Sequence, residues 1–353
     1  MSDNMVRSSP GAHPATGQAP TLSVVIIGRN EGERLVRCLH SVERIRGVTG
    51  PVELIYVDSA STDGSPQVAA GQGAAVIALD GGKCTAARAR NAGWQRALAP
   101  YVLFLDGDTI VHPDFASAAL TSLESDPSIA AVWGHRRELY PERSIYNRVA
   151  DLDWIYAPGF TEFCGGDVLM RRGALAEVGG FDAGLIAGEE PELCRRLRAR
   201  HYRINHIDVP MTLHDLGLTR LTQYWRHALR AGYAYADMSD RFRNSTDPMW
   251  VKESRRNFKT GLFWIVWAAI GIAMVALAEW WALPWLALLP LLSARSGWKA
   301  RAKAPEQKAL LFLYGVHSQL QQVPILFGQL KYLNDRRLGK QRSLIEYKQS
   351  AGA

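Results

Sequence analysis

Four short apolar runs, each closed by a polar turn, dictate most of what the first hundred residues can become. Residues 22–27 (LSVVII) are apolar and β-branched, the pattern of a strand buried on both faces. Gly28-Arg29-Asn30-Glu31-Gly32 breaks the run, and Leu35, Leu39 and Val42 then recur at helical spacing. Residues 52–57 (VELIYV) predict a second strand ending at Asp58, and the turn-rich stretch 59–65 places Asp63 to cap a helix. Residues 74–79 predict a third strand, 85–98 a helix, and 101–105 (YVLFL) a fourth strand ending at Asp106. This alternation predicts an α/β fold with a mostly parallel central sheet and flanking crossover helices. Ligands of such sheets bind at the carboxyl ends of the strands. Three polar clusters stand there: Arg29-Asn30-Glu31, Asp58 with Asp63, and Asp106-Gly107-Asp108.

The length of 353 residues suits one large domain with an appendage. Residues 1–20, rich in Ser, Gly, Pro and Ala, read as a disordered leader without an apolar run of secretory-signal type. The following domain is therefore expected to stay in the cytoplasm. Cys38, Cys84, Cys164 and Cys194 form no CxxC pair and read as reduced thiols. The net charge of +7 suits acidic phosphates or an anionic lipid surface. No nucleic acid is expected as a partner, and the oligomeric state is left open.

The pattern changes after Asp215. Residues 221–243 look helical, and 252–259 are basic (Lys252, Arg255, Arg256, Lys259). Residues 261–278 are an uncharged apolar stretch, which Glu279 interrupts before 280–292 continue it with Pro284 and Pro290. A crossing takes about 20 apolar residues, with a range of roughly 17–25. Arg295, Lys299, Arg301 and Lys303 follow, so basic residues flank both sides and the chain should return to the side it left. Residues 251–294 thus read as a membrane hairpin or re-entrant pair. Residues 295–353 read as an amphipathic interfacial helix, over about 309–330, with a basic tail.

Two carboxylates one residue apart at a strand end, as in Asp106-Gly107-Asp108, suit a hard divalent cation shared with a diphosphate. Gly107 leaves room for a close approach of phosphate to the backbone. The motifs LSVVIIGRNE, VDSASTDGS, ARARNAG, FLDGDTIVHPD, VGGFD and GEEPELCRRLR follow in one order over residues 22–190. In that order and spacing, the chain resembles a family 2 glycosyltransferase with the GT-A fold. The resemblance implies a nucleotide-diphosphate-sugar donor, Mn²⁺ or Mg²⁺, inversion at the anomeric carbon, and a transferase domain over 21–250.

Residue by residue, the resemblance places Arg29, Asn30, Glu31, Asp58, Lys83, Arg90 and Asp106 at the nucleotide-sugar. Asp106 and Asp108 match the metal-binding pair, and His214, at the end of a possible strand, is a further expected ligand. The family's base is an acid in a Glu-Asp pair, here Glu189-Glu190, so Glu190 is the expected base and Glu189 the alternative. Asp167, after Gly165-Gly166, is expected at the acceptor. Gln223 and Arg226 resemble part of the QxxRW motif of membrane-bound synthases, with His227 in place of its Trp, and are expected at acceptor or diphosphate. The expected activity is hexosyl transfer to a lipid-linked acceptor at the cytoplasmic (inner) membrane, in glycan, glycolipid or exopolysaccharide synthesis. A processive synthase and a non-catalytic membrane scaffold are the competing expectations.

Overall fold

The computed structural model describes residues 7–8, 18–79, 84–277 and 280–340. Lys83, the leader apart from residues 7–8 and 18–20, Glu279 and the tail from 341 lie outside the described residues. The described residues divide into two compact units, one holding those up to Leu139 with Trp154–Leu216, the other Tyr140–Asp153 with 217–340.

The first unit begins with β1 (Arg7–Ser8), β2 (Leu22–Gly28), α1 (Glu33–Glu43), β3 (Val52–Asp58), α2 (Ser65–Gly71), β4 (Ala75–Ala78), α3 (Ala86–Arg96) and β5 (Tyr101–Asp106). It continues with β6 (Thr109–Val111), α4 (Phe115–Ser125) and β7 (Ile129–Glu138), and, after α5 (Ile145–Asp153) of the other unit, with β8 (Gly159–Thr161) and β9 (Val168–Arg171). Helices α6 (Arg172–Val178) and α7 (Glu189–Ala199) precede β10 (Arg203–His214). Among the described residues the strands form one ten-stranded sheet in the order β1-β4-β3-β2-β5-β9-β7-β10-β6, with β8 on β10.

The expected strands and helices of residues 22–106 are all present. Every residue of Leu22–Ile27 is buried, as a strand covered on both faces requires. The pairings β4-β3-β2-β5 are parallel, whereas β9 runs antiparallel to both β5 and β7. The sheet is therefore parallel across β4-β3-β2-β5 and mixed on either side, with β1 antiparallel on β4. Gly28 pairs with Asp58 and Ile27 with Asp106, which sets the three polar clusters side by side at the carboxyl ends of β3, β2 and β5.

The second unit is helical: α5, α8 (Leu221–Phe242), α9 (Val251–Ala276), α10 (Ala282–Leu286), α11 (Leu288–Lys299), α12 (Lys308–Leu320) and α13 (Gln322–Arg337). Two of the expected boundaries move. Helix α8, placed with the transferase domain on sequence, groups with the helical unit because Gly232 and Gly328 let α8 and α13 meet backbone to backbone. The single amphipathic helix expected over 309–330 is two packed helices. Its polar residues point inward: His317 pairs with Asp153 at 3.0 Å, Gln319 donates to Ser296 at 2.8 Å, and Gln329 donates to the Ser254 carbonyl at 2.9 Å. These groups are engaged by interior partners, so they form no water-facing stripe.

Helix α9 is long and apolar enough to cross a membrane, and only 17% of its most apolar window is buried. Trp267 and Trp285 close α9 on α10: each indole N–H donates to the other's backbone carbonyl, at 3.2 and 3.0 Å. Their apolar neighbours stay outward, with Ile272 72% and Leu283 76% exposed.

Candidate active site

Asp106 ends β5, and Gly107-Asp108 form the turn into β6. The Gly107 N–H donates to the Ile27 carbonyl at 2.8 Å, and a Cβ at Gly107 would stand 3.0 Å from Glu31 Cγ and 3.2 Å from that carbonyl. The glycine thus lets the turn lie against β2. Strand β6 pairs with the end of β10, His214 opposite Thr109, which brings the imidazole to the turn. Donor atoms of Asp106, Asp108 and His214 all lie within 4.8 Å of one another, and His214 Nε2 is 3.3 Å from Asp108 Oδ1. His214 Nδ1 is buried and has no hydrogen-bond partner among the described residues. Burial, assisted by the nearby Arg136 cation, holds this imidazole below its ordinary pKa, so it stays a neutral ligand. Two carboxylates and one neutral imidazole fit a divalent cation.

Glu189 and Glu190 open α7, behind Gly188 in the left-handed conformation (φ 85°). Their position in the first turn suits the positive helix end. Arg90, from α3, ties this pair to the metal turn. Its Nη2 is 2.9 Å from Asp106 Oδ1, and its Nη1 is 3.0 Å from both Glu189 Oε1 and Glu190 Oε1. Burial raises the Glu190 carboxyl to about 7, and Glu189 adds to the rise against the opposing pull of Arg90. A carboxyl with that affinity suits proton acceptance near neutral pH. Its side chain keeps 16% exposure, against 5% for Glu189, so Glu190 is the more accessible of the pair.

Two expectations change here. Arg90, expected at the nucleotide, is 3% exposed and already shared by three carboxylates. It positions the acids instead. Asp167, expected at the acceptor, is fully buried: its Oδ1 accepts the Asp106 N–H at 3.0 Å and its Oδ2 accepts the Thr212 hydroxyl at 2.8 Å. It braces the metal turn against β10.

The other cluster is stitched together. Asp58 accepts from the Tyr56 hydroxyl at 3.1 Å and the Ser61 N–H at 2.8 Å, and Asn30 accepts the Thr62 N–H at 2.7 Å. Asp63 accepts from the Gly32 and Ser65 N–H groups, so it joins the two loops as well as the start of α2. Glu31 pairs with Arg34 at 2.9 Å, and Arg29 is exposed. Gln223 and Arg226 lie on α8 of the second unit. The Gln223 side-chain carbonyl accepts the Thr219 and Arg220 N–H groups at 3.0 and 2.9 Å, which gives it a capping role instead of the expected ligand contact. Arg226 is exposed.

Gly166 was missed as a site residue, although the Gly165-Gly166 pair before Asp167 was a visible signal. A Cβ there would collide with Arg90 Nη2 and stand 3.2 Å from both Asp106 Oδ2 and Glu190 Oε1. Gly166→Ala should displace the Arg90 fork and cost about 1–3 kcal/mol, the usual range for overpacking. Thermal denaturation and transfer assays check this: activity should fall far more than the melting temperature, and unchanged activity would refute the close approach.

Residues 23–178 match the family described as Glycosyl transferase family 2. Glycosyltransferase AglE of Haloferax volcanii is 27% identical over 130 residues, which are 36% of this chain and 42% of that protein. The poly-beta-1,6-N-acetyl-D-glucosamine synthase of Staphylococcus aureus is 27% identical over 136 residues, 35% of this chain and 32% of the synthase. The chain thus spans less than half the length of these curated relatives. A mannosyltransferase from Pyrobaculum calidifontis, solved with GDP-Man and Mn²⁺, shares the fold with a TM-score of 0.56 at 22% identity, covering 93% of this chain and 91% of the other. Residues 23–178 thus match glycosyl transferase family 2, and the sheet order and the neighbour's structure show a GT-A fold.

Proposed function

We propose that the chain is a metal-dependent inverting glycosyltransferase that moves one sugar from a nucleotide-diphosphate-sugar to a lipid-linked acceptor. One observation carries the reading: the buried Arg90 pairs both with Asp106, a member of the cation-ready triad Asp106, Asp108 and His214, and with Glu190. Asp58, Asn30, Glu31 and Arg29, at the neighbouring strand ends, hold the nucleotide. Asp106, Asp108 and His214 would hold the cation. When bound, the cation would neutralise charge on the departing diphosphate. Glu190 takes the proton of the acceptor hydroxyl or phosphate as the acceptor oxygen attacks the anomeric carbon. A single base without a carboxylate nucleophile gives inversion. Arg90 keeps Glu190 oriented, and removing it would leave buried acids unpaired at a cost of about 3–5 kcal/mol.

The lipid-linked acceptor follows from the helical unit. Helix α9 leaves most of its apolar side chains outward, with basic residues at its start, which supports a hairpin or re-entrant insertion at the cytoplasmic face. Arg226, exposed on α8, is a proposed contact to the lipid-linked acceptor. The transfer is tested by offering nucleotide-diphosphate-sugars, Mn²⁺ and a membrane lipid extract to the full chain. The expected product is a lipid heavier by one sugar. A ladder of added sugars would favour the processive reading, and no product with any donor would refute transfer. Membrane insertion predicts flotation of the full chain with phosphatidylglycerol vesicles in high salt. Ile272→Glu with Leu283→Glu should leave most of the protein unfloated, and unchanged flotation would refute insertion through this surface.

A further inference from the structure

Arg136 lies on β7, two residues before its end. In the parallel pairing with β10, Arg136 stands opposite Thr212, and Glu138 opposite His214. Residues two apart on a strand share a face. Arg136 therefore belongs to the face that carries His214 and the Thr212 hydroxyl bound to Asp167. Its guanidinium carbon is 4.5 Å from the Trp154 ring centroid, and the Trp154 ring meets the His214 ring edge-to-face at 5.2 Å. On its other side it reaches the glycine loop, where a Cβ at Gly165 would stand 3.3 Å from Arg136 Nη2.

The contrast with Arg90 is informative. Arg90 pairs with Asp106 of the triad, and Arg136 lies on the strand face that carries His214. Arg90 is spent on three carboxylates, whereas among the described residues the contact found for Arg136 is the Trp154 ring. A guanidinium stacked on an aromatic ring keeps its N–H fork available for oxygen. The fork matches the spacing of phosphate oxygens and forms charge-assisted pairs with them.

We propose that Arg136, resting on Trp154, binds a phosphate group at the metal triad. The inference rests on the transferase reading and names a cation for it that Arg90 cannot be. Two sources share this chemistry: the diphosphate of the donor, and the phosphate of a phosphorylated lipid acceptor.

The test uses the full chain in detergent, titrated calorimetrically with Mn²⁺ plus inorganic pyrophosphate for the donor side, and with decyl phosphate for the acceptor side. Arg136→Met keeps the length and removes the charge. It should weaken one probe by at least about tenfold, as expected for a lost hydrogen bond to a charged group. Loss on pyrophosphate assigns Arg136 to the donor diphosphate, and loss on decyl phosphate assigns it to the acceptor. Arg136→Lys, with a point charge but no fork, should fall between. If Arg136→Met lowers only the melting temperature and leaves both affinities at the wild-type level, Arg136 is a packing residue and the inference is overturned. If the wild-type chain binds neither Mn²⁺ nor pyrophosphate, the reading of the triad falls and takes this inference with it.

Discussion

Asp108→Asn should abolish transfer while leaving the fold intact. The substitution keeps shape and removes one of two carboxylates beside His214, 3.3 Å from its Nε2. A bound cation contributes several kcal/mol to a transition state that expels a diphosphate, so the expected loss is roughly 10³-fold or more. The turn itself should survive, because its supports are elsewhere. Asp106 keeps its Asp167 brace and Arg90 pair, and the Asp215 N–H donates to the backbone carbonyl of Asp108 at 3.0 Å, which the substitution preserves. Initial-rate assays beside a thermal melt separate the two effects. Activity within a few-fold of wild type would remove Asp108 from the metal site.

Glu190→Gln should have a comparable effect by another route. Loss of a general base costs about 10²–10⁴-fold in rate. Binding of cation and nucleotide should persist, since Arg90 retains Asp106 and Glu189. The wild-type pH profile carries the same information. The base must be ionised to act, and its carboxyl is raised to about 7, so kcat/KM should climb through pH 7 to a plateau above it. The sign for stability is opposite. A carboxyl raised from 4.5 to about 7 on folding contributes stability that is full below the lower value and is lost as pH rises through the upper one. Glu190→Gln should therefore melt no lower than wild type at pH 8. A profile without the ascending limb, or a variant that retains full rate, would transfer the base to Glu189 or another group.

The parallel half of the sheet was legible because local pattern decides it. Residues 22–27 admit no polar face, and the polar turns after residues 58 and 106 fall where such strands must end. Asp108 and His214 were legible as a strand-end acid and a strand-end histidine. Their meeting depends on the β6–β10 register, which pairs Thr109 with His214 across about a hundred residues. The remaining assignments depend on packing that no local pattern reports. Arg90 was expected at the nucleotide-sugar, yet lies 3% exposed among acids from β5 and α7. Asp167 was expected at the acceptor, yet is consumed by the Asp106 N–H and the Thr212 hydroxyl. Arg136 showed no motif at all, and only its register opposite Thr212 brings it to the site. In the helical unit, Gly232 and Gly328 decide which helices pair, and a glycine within an apolar stretch does not name its partner.

The claim beneath all of these is that Asp106, Asp108 and His214 form one divalent-metal site. Titrating Mn²⁺ into the wild-type chain and into Asp108→Asn, with free Mn²⁺ followed by electron paramagnetic resonance, tests it directly. The account predicts one Mn²⁺ bound per wild-type chain, tightened by nucleoside diphosphate, and none held in Asp108→Asn at the same concentrations. Equal binding by the two proteins, or no binding by the wild type, would contradict it.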